Sequence, residues 1–515
     1  MSHEKAAKRS GGPGRPAIGT APLKRRQFLA RGAAAVGVGW ASGLGIRRAG
    51  AAVEPATELI FQSATQMARM IREKKVSAVE VVTLHLKRIS EVNPKIRAVV
   101  TLCEERALKE AKAADEAQAK GRMLGVLHGV PFTLKDSLET EGVRSTSGTL
   151  GRSFCVPSKD ATVAARLRAA GAILLGKSNT PEFTMGGGSK GTNNLLFGQT
   201  YNPYDLARSP LGSSGGGGAI VAAGGSAFDV GSDLGGSVRL PAHASGVAGI
   251  KPTSGRTPRT GHVPGYGGLF DSWQQLGPLA RRVEDIELLM SVLCGEDLED
   301  AFCFDVPLGN PGTVLTKGLK VAFYVDNGVM SPTPETQAMV RTAAEWLREA
   351  GAEVREDIHP GYKADVELAS RARDGEGGAW QRRLLKKHGT AVPDPGLLER
   401  MKGKPVPAPE FLEMMEDIDH ARSRMLQWFK GYDAILCPTS AIPAPRLDTP
   451  APRETNYTRI YNVTGWPAAV VRAGTSPEGM PLGLQIVAKP WNDHVALALA
   501  RFVEERSGGW KRPNL

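Results

Sequence analysis

The chain has 515 residues, of which 41% are hydrophobic and 23% charged, a composition ordinary for a globular protein and unlike that of a disordered or fibrous one. Its formal net charge of +12 suggests a nucleic-acid binder, but residues 1–51 hold ten of the basic residues and one acidic residue. The remainder is nearly neutral, at about +3. Nucleic-acid binding is therefore excluded as the default function.

The first 51 residues predict an export leader. Segment 24–29 reads KRRQFL, a twin-arginine motif, and a mildly apolar Ala/Gly-rich stretch over 33–46 leads to a small-residue cleavage site, AGA, at 49–51. The apolar stretch is shorter than the roughly 20 residues that cross a bilayer. We expect a periplasmic or secreted protein with no stable membrane association after leader removal. A disordered basic tail is the alternative.

Helical and strand patterns alternate along the rest of the chain. Apolar spacing predicts helices over residues 58–89, 104–120, 160–171 and 335–351. Short apolar runs predict strands over residues 129–134, 172–175, 319–325, 352–354, 434–437, 468–472 and 482–487. Asn93-Pro94 should end the first helix, because a residue before proline avoids the helical region. Asp160 should cap the third helix and Gly171 should end it.

This alternation predicts an α/β fold in which a mixed, mostly parallel twisted sheet lies between layers of helices. Residues 52–515 are expected to form one domain, because no internal repeat or linker divides them. The least regular part, residues 361–430, is expected to be a variable insertion near the pocket, with an amphipathic helix running through Trp428.

The five cysteines and nine histidines show neither disulfide nor metal-ligand spacing. The cysteine count is odd and no CxxC is present, so we expect packed thiols and no disulfide framework. HExxH is absent, and no Cys/His pair has zinc spacing. We therefore expect no metal and no cofactor.

Residues 171–178, GAILLGKS, match the phosphate-binding P-loop pattern letter for letter. A P-loop needs its four intervening residues in a loop and a helix from the lysine onward. Here the four residues are an apolar strand, and Pro181 prevents a helix from Lys177. A nucleotide-dependent enzyme is therefore only a minor alternative.

Two serine-glycine clusters and one lysine carry the chemistry. Segment 212–216 reads GSSGG, segment 231–237 reads GSDLGGS, and Lys135 follows the apolar run 130–134. A serine hydroxyl is a poor nucleophile until a base removes its proton. With no evident histidine base, a lysine can serve if burial keeps it neutral. Glycine-rich structural turns explain one such cluster, but poorly explain both together with the lysine.

These motifs together resemble the amidase signature family over residues 64–505. The resemblance implies a serine hydrolase that cuts amide bonds with a Ser-Ser-Lys triad. Ser237 corresponds to the nucleophile, Ser213 to a bridging serine that follows a cis peptide bond, and Lys135 to the base. The bridging serine relays the proton in both directions.

The resemblance also implies roles around the nucleophile. The oxyanion donors would be the backbone amides of Leu234, Gly235, Gly236 and Ser237. Asp233 and Arg239 would brace this loop. Gly187, in the glycine run after Met185, would line the acyl pocket and leave room for a bulky acyl group. Gly217-Gly218 stand where the family has Gly-Ser, which predicts a more flexible loop after Ser213. We expect His243 to be a packed or surface residue, and a position lining the site is the less favoured alternative.

The predicted function is an exported amidase that converts a small carboxamide or N-substituted amide into an acid and ammonia or an amine through an acyl-serine. Its partner is the small-molecule amide, and its activity should prefer neutral to alkaline pH. Alternatives are an α/β-hydrolase-type esterase with Ser214 in G-x-S-x-G, a catalytically silent amidase-fold binding protein, and the family's glutaminase-type subunit of transamidosomes, which works on aminoacyl-tRNA. The substrate and the oligomeric state stay open, a homodimer included.

Overall fold

The computed structural model describes residues 56–186, 190–265, 268–449 and 456–515. The predicted leader, residues 1–51, and Gly187 lie outside the described residues. The α-helices are α1 Ala56–Leu59, α2 Ala64–Arg72, α3 Ala78–Ile96, α4 Glu104–Ala119, α5 Thr162–Ala169, α6 Gly215–Ala222, α7 Arg239–Ser245, α8 Val283–Leu293, α9 Pro334–Glu349, α10 Tyr362–Asp374, α11 Ala379–His388, α12 Pro395–Arg400, α13 Ala408–Phe429, α14 Arg459–Val463 and α15 Asp493–Ser507. Short 3-10 helices span Leu150–Arg152, Glu182–Thr184, Gly268–Trp273 and Pro311–Thr313.

The strands are β1 Val99–Leu102, β2 Pro131–Lys135, β3 Ile173–Ser178, β4 Asn193–Asn194, β5 Gly198–Gln199, β6 Phe228–Asp233, β7 Ala248–Lys251, β8 Gln275–Ala280, β9 Lys320–Phe323, β10 Glu353–Glu356, β11 Ala434–Pro438, β12 Ala468–Thr475 and β13 Pro481–Ala488. Eleven of these described strands form one sheet in the order β1-β3-β2-β6-β8-β7-β12-β13-β11-β9-β10, and β4 pairs with β5.

The predicted α/β fold with a mixed sheet is confirmed. Parallel pairs lie in two groups, β3-β2-β6 and β11-β9-β10, on either side of an antiparallel centre. Among the described strands, four neighbouring pairs are parallel and six are antiparallel, a smaller parallel share than the sequence suggests. One antiparallel pair, β12 and β13, is joined by the short connection 476–480, as expected because a tight hairpin can join only antiparallel strands.

Both faces of the sheet are covered by helices. Along β3, Leu174 packs into one hydrophobic core whereas Ile173 and Leu175 pack into another, as expected for side chains that alternate between the faces of a strand. The first core contains apolar residues of α2, α5, α8, α9 and α15, and the second those of α3, α4, α6 and α7. Helix α6, which follows the first serine-glycine segment, belongs to the second core, so this predicted part of the site lies on that side of the sheet.

Three local predictions are corrected. Residues 58–89, predicted as one helix, contain the end of α1, all of α2 and most of α3, and α3 includes Pro94 in its last turn. Asp160 does not cap α5, because its carboxylate accepts hydrogen bonds from the amide of Glu141 and the guanidinium of Arg168. Residues 361–430, expected to be the least regular part, contain the four helices α10 to α13.

Among the described residues, no helix combines the length and apolarity that crossing a membrane requires. The same residues hold no group of three or more side chains placed to ligate a metal ion. All five cysteines are free thiols.

Candidate active site

Strand β2 places Lys135 in the interior, on the face of the sheet covered by α6. Phe132 and Leu134 point into the first core, where the Phe132 and Phe228 rings stack with centroids 5.3 Å apart. Because side chains alternate along a strand, Thr133 and Lys135 point to the opposite face. The side chain of Lys135 is completely buried there.

Three serine hydroxyls surround the Lys135 amine. Its Nζ donates to Ser213 Oγ at 2.6 Å, to Ser214 Oγ at 3.0 Å and to Ser232 Oγ at 3.0 Å. The peptide bond between Gly212 and Ser213 is cis, as the resemblance implied. The two residues predicted as base and bridging serine are therefore in direct contact.

The surroundings of Lys135 lower the pKa of its ammonium to about 7 from an ordinary 10.5. Burial is the main cause, because it removes the charge from water, and the carboxylates of Asp229 and Asp233 oppose the shift. Burial raises the pKa of Asp229 to about 7, against the hydrogen bond from Thr133 and the positive charges of Lys135 and Lys177. A substantial fraction of Lys135 is thus neutral near pH 7.

Ser213 and Ser214 lie at the N-terminal end of helix α6, and this helix packs very close to the sheet. A Cβ atom at Gly216 would lie 2.3 Å from the backbone nitrogen of Asn179, and one at Gly217 would lie 2.4 Å from Asp229 Oδ1. The glycine run is therefore required by close approach of the helix. The flexible loop predicted at Gly217-Gly218 is wrong, because both residues are buried within α6.

Ser237 lies in the loop that joins β6 to α7. The loop reaches the serine cluster through its backbone, since the amide of Ser214 donates to the carbonyl oxygen of Ser237 at 3.1 Å. Gly236 adopts φ +123°, and a Cβ there would lie 2.5 Å from Thr458 Oγ1, so this turn requires glycine.

One predicted oxyanion donor is already engaged. The amide of Gly236 donates to Asp233 Oδ1 at 2.7 Å, so it stabilises the loop and is unavailable to a substrate oxygen. Among the described residues, this leaves the amides of Leu234, Gly235 and Ser237 as candidate donors.

Asp233 and Arg239 form a fully buried, bidentate ion pair that fixes this loop. The Arg239 guanidinium donates to both carboxylate oxygens, at 2.9 and 3.0 Å, and Asn462 Nδ2 donates to Oδ1 at 2.9 Å. Burial alone would raise the pKa of Asp233, but Arg239 and these hydrogen bonds hold that pKa well below its ordinary value. The loop of Ser237 is thus braced by a carboxylate that stays ionised.

The structure excludes a P-loop at residues 171–178. Residues 173–178 are strand β3, and Lys177 is buried with its Nζ donating to the carbonyl of Leu138 and to Thr140 Oγ1. His243 is a packed residue: its Nε2 contacts the carbonyl of Ile442 at 3.1 Å and its Nδ1 accepts from the amide of Gly483 at 2.9 Å. Neither residue is placed for catalysis.

Ser214, the nucleophile of the alternative α/β-hydrolase interpretation, is completely buried. Its hydroxyl contacts Lys135 Nζ and the carbonyl oxygen of Ser232, and no histidine is among its hydrogen-bond partners in the described part of the chain.

Ser232 is the residue that sequence reasoning missed. It lies inside the second serine-glycine motif, and its position on strand β6, facing Lys135, could have been inferred only with the strand pairing known.

A small cavity of about 40 Å³ adjoins the Ser237 loop. Its lining includes Leu234, Met185, Trp380 and Gln381, so helix α11 of the segment 361–430 contributes to it. Gly187, predicted to line an acyl pocket beside Met185, lies outside the described residues.

Comparison with known proteins decides the family. Residues 80–497 match the family model described as Amidase. The chain belongs to the amidase signature family. This amidase is 34% identical over 491 residues to a glutamyl-tRNA(Gln) amidotransferase subunit of Moorella thermoacetica, covering 87% of the chain and 97% of that protein. It is 35% identical over 465 residues to the indoleacetamide hydrolase of Bradyrhizobium diazoefficiens, covering 87% and 86%.

The fold of the amidase also matches solved structures. The 6-aminohexanoate cyclic dimer hydrolase complexed with substrate superposes with a TM-score of 0.78 at 28% sequence identity, covering 88% of this chain and 99% of that one. Family and fold together establish a hydrolase of amide bonds. The α/β-hydrolase alternative is not supported by either comparison.

Proposed function

We propose that this amidase hydrolyses a carboxamide or an N-substituted amide, a linear C–N bond, through an acyl-serine on Ser237. The observation that carries the proposal is the 2.6 Å contact between Lys135 Nζ and Ser213 Oγ within a fully buried site. A lysine whose pKa is lowered to about 7 can accept a proton at neutral pH, which an ordinary lysine cannot.

In the proposed first step, the Ser237 hydroxyl oxygen attacks the amide carbonyl carbon. Its proton passes to Ser213, whose own proton passes to neutral Lys135. Collapse of the tetrahedral intermediate breaks the C–N bond, and the proton returns from Lys135 through Ser213 to the leaving nitrogen. Water then cleaves the acyl-serine by the same relay and releases the acid.

The negative charge of each tetrahedral intermediate needs donors that are already oriented. We assign this role to the amides of Leu234, Gly235 and Ser237. The amide of Gly236 serves instead to hold the loop against Asp233. Loss of a single donor of this kind typically reduces the rate by about 10²–10³.

The test is covalent labelling of the full chain with a fluorophosphonate, with the adduct located by peptide mass mapping. We expect the adduct on Ser237, absent in Ser237→Ala and strongly slowed in Lys135→Ala. Ser291→Ala is the control, since that serine lies on helix α8, whose buried residues pack in the first core. An adduct on Ser214 supports the nucleophile-elbow alternative, and no adduct on the folded protein supports a silent binding protein.

A second candidate function is ammonia supply within an amidotransferase, favoured by the 34% identity to the Moorella thermoacetica protein. A hydrolase releases ammonia from a carboxamide when it is the only protein present. Strict dependence on glutamine, or on an added partner protein, supports the amidotransferase instead. A coupled ammonia assay with glutamine and a panel of other carboxamides separates the two.

We also propose that residues 1–51 direct export through the twin-arginine route. The support is the motif at 24–29 and the basic charge confined to this segment. Cell fractionation of the full chain tests this proposal. We expect a periplasmic or secreted product shortened near residue 51, and its retention in the cytoplasm when Arg25 and Arg26 are both replaced by Lys.

A further inference from the structure

A second, larger cavity lies near the proposed catalytic centre and has no role in the mechanism above. Its volume is about 650 Å³, within the range of small-molecule binding sites. One wall is helix α11 and the other is formed by two segments that follow strands β2 and β7. The lining residues used below are Glu139, Arg152, His262, Trp380, Arg383 and Lys387.

The wall formed by α11 carries two positive charges that lack partners. Arg383 and Lys387 are four residues apart, so they lie on one face of the helix, and both are exposed. Within the described residues, neither side chain makes an ion pair or a hydrogen bond. Like charges at this spacing destabilise a helix, and an anion between them would remove that repulsion.

The opposite wall does not neutralise these charges. Arg152 donates to Glu139 at 2.7 Å, so the one carboxylate of the lining is already paired. The same positive charges act on His388, at the end of α11. Burial is the main cause that lowers the pKa of His388 to about 4, and the charges of Arg152 and Lys387 lower it further. The lining therefore carries a net positive charge.

The cavity lies beside the segment that follows Lys135, because the amide of Val263, which lines the cavity, donates to the carbonyl oxygen of Ser137 at 2.7 Å. His262 lines the cavity and is buried; burial, followed by the positive charge of Lys135, holds its pKa well below the ordinary value. Trp380 lines both this cavity and the small one that contains Leu234 of the oxyanion loop.

We infer that this cavity binds a carboxylate carried by the substrate, so that the preferred substrates are acidic amides. The inference rests on the proposed function and names its substrate class. The carboxylate lies between Arg383 and Lys387, several bonds from the scissile carbonyl. Trp380 offers an apolar surface to the linking aliphatic or aryl segment.

Two matched pairs of substrates test the inference, one for each side of the scissile bond. Glutaryl p-nitroanilide is compared with valeryl p-nitroanilide, and 4-acetamidobenzoate with acetanilide. We expect the wild-type protein to favour the acid of at least one pair by about tenfold in kcat/KM. Because exposed charges are screened by salt, this preference should shrink at 0.5 M NaCl.

Charge-removing variants locate the effect. In Arg383→Gln and in Lys387→Gln, the ratio of acidic to neutral kcat/KM should fall about threefold to tenfold. Lys386→Gln is the matched control, since Lys386 is exposed on the same helix but lies outside the cavity lining. Its ratio should equal that of the wild type.

The outcomes separate this inference from the proposed function. Hydrolysis of the neutral amides without preference for either acid overturns the inference and leaves the proposed function standing. Equal loss of preference in Lys386→Gln also overturns it, because the effect would then be one of overall charge. If the wild-type protein cleaves none of the four amides and takes up no fluorophosphonate, both fail.

Discussion

Protonation of Lys135 should set the acid limit of activity. Burial lowers its pKa to about 7 from 10.5, so about half of the molecules carry the neutral amine at pH 7. An ordinary lysine would be neutral in only about 3 molecules of 10,000 at that pH. A base must be neutral to accept a proton, so activity is lost as the pH falls through the folded-state pKa. We expect kcat/KM to fall about tenfold per pH unit below 7, to about 1% of its plateau at pH 5.

Titration of a neighbouring carboxyl group could produce the same fall of kcat/KM at acid pH, called the acid limb below. Burial raises the pKa of Asp229 to about 7, and this group and Lys135 interact, so the pair titrates as a unit. Asp229→Asn separates the two possibilities, because it keeps the side-chain shape and can retain the contact with Thr133 Oγ1, 2.7 Å away. The substitution removes a negative charge that stabilises the ammonium. The acid limb should therefore move to lower pH, by about 0.5 to 1 unit.

The assay is kcat/KM for a chromogenic anilide between pH 4.5 and 9.5 at constant ionic strength, for the wild type and Asp229→Asn. A flat wild-type profile down to pH 5 would refute the assignment of Lys135 as the base. Disappearance of the limb in the variant would assign the titration to Asp229. Movement of the limb to higher pH would show that the carboxylate does not stabilise the ammonium.

Three other substitutions test the remaining parts of the site. Ser213→Ala should reduce kcat by about 10²–10⁴ with little change in KM, because it removes the proton relay, and an unaltered kcat in steady-state kinetics would contradict that role. Asp233→Asn leaves the Arg239 guanidinium buried without its counter-charge, and it should lower the free energy of unfolding by about 3–5 kcal/mol in denaturant titrations. A loss below about 1 kcal/mol would be incompatible with a stabilising ion pair. Gly217→Ala should cost about 1–3 kcal/mol, because its Cβ would lie 2.4 Å from a buried carboxylate oxygen, whereas Gly403→Ala, whose Cβ would meet no atom closer than 3.8 Å, should be neutral.

The sequence predicts the apolar strands of this fold better than its polar, glycine-containing ones. β2, β3, β9 and β11 are apolar runs that a sequence pattern reveals, and all four are present where expected. Strand β6, with the sequence FDVGSD, is absent from the predicted strands, because glycine and aspartate are uncommon in strands. It is a strand because β2 and β8 pair with it on both sides, which is a tertiary effect that local preference does not contain.

The same limit applies to the site. The motifs identify Lys135 and Ser213, and the structure places these two side chains in contact. The engagement of the Gly236 amide by Asp233 could not be predicted, because it depends on how the loop folds back on the end of β6. The contact between the Ser232 hydroxyl and Lys135 could not be predicted either, because it depends on the register of the neighbouring strands β2 and β6.

Burial alone does not distinguish Lys135 as a base. Lys177 and Lys251 are equally buried, and burial lowers their pKa values to about 8 and about 7. Lys251 donates to the carbonyl of Pro252, an acceptor with no proton to give back. Lys177 contacts the carbonyl of Leu138 and the hydroxyl of Thr140, whose own hydrogen bond also goes to that carbonyl.

Lys135 instead faces the hydroxyls of Ser213, Ser214 and Ser232. A hydroxyl can both donate and accept, so a proton can enter and leave the amine through the same contact. The lowered pKa makes the amine available at neutral pH, and the serine partners are the contacts that the proposed relay uses. The role proposed for Lys135 requires both a lowered pKa and hydroxyl partners, and among these three lysines Lys135 alone has both.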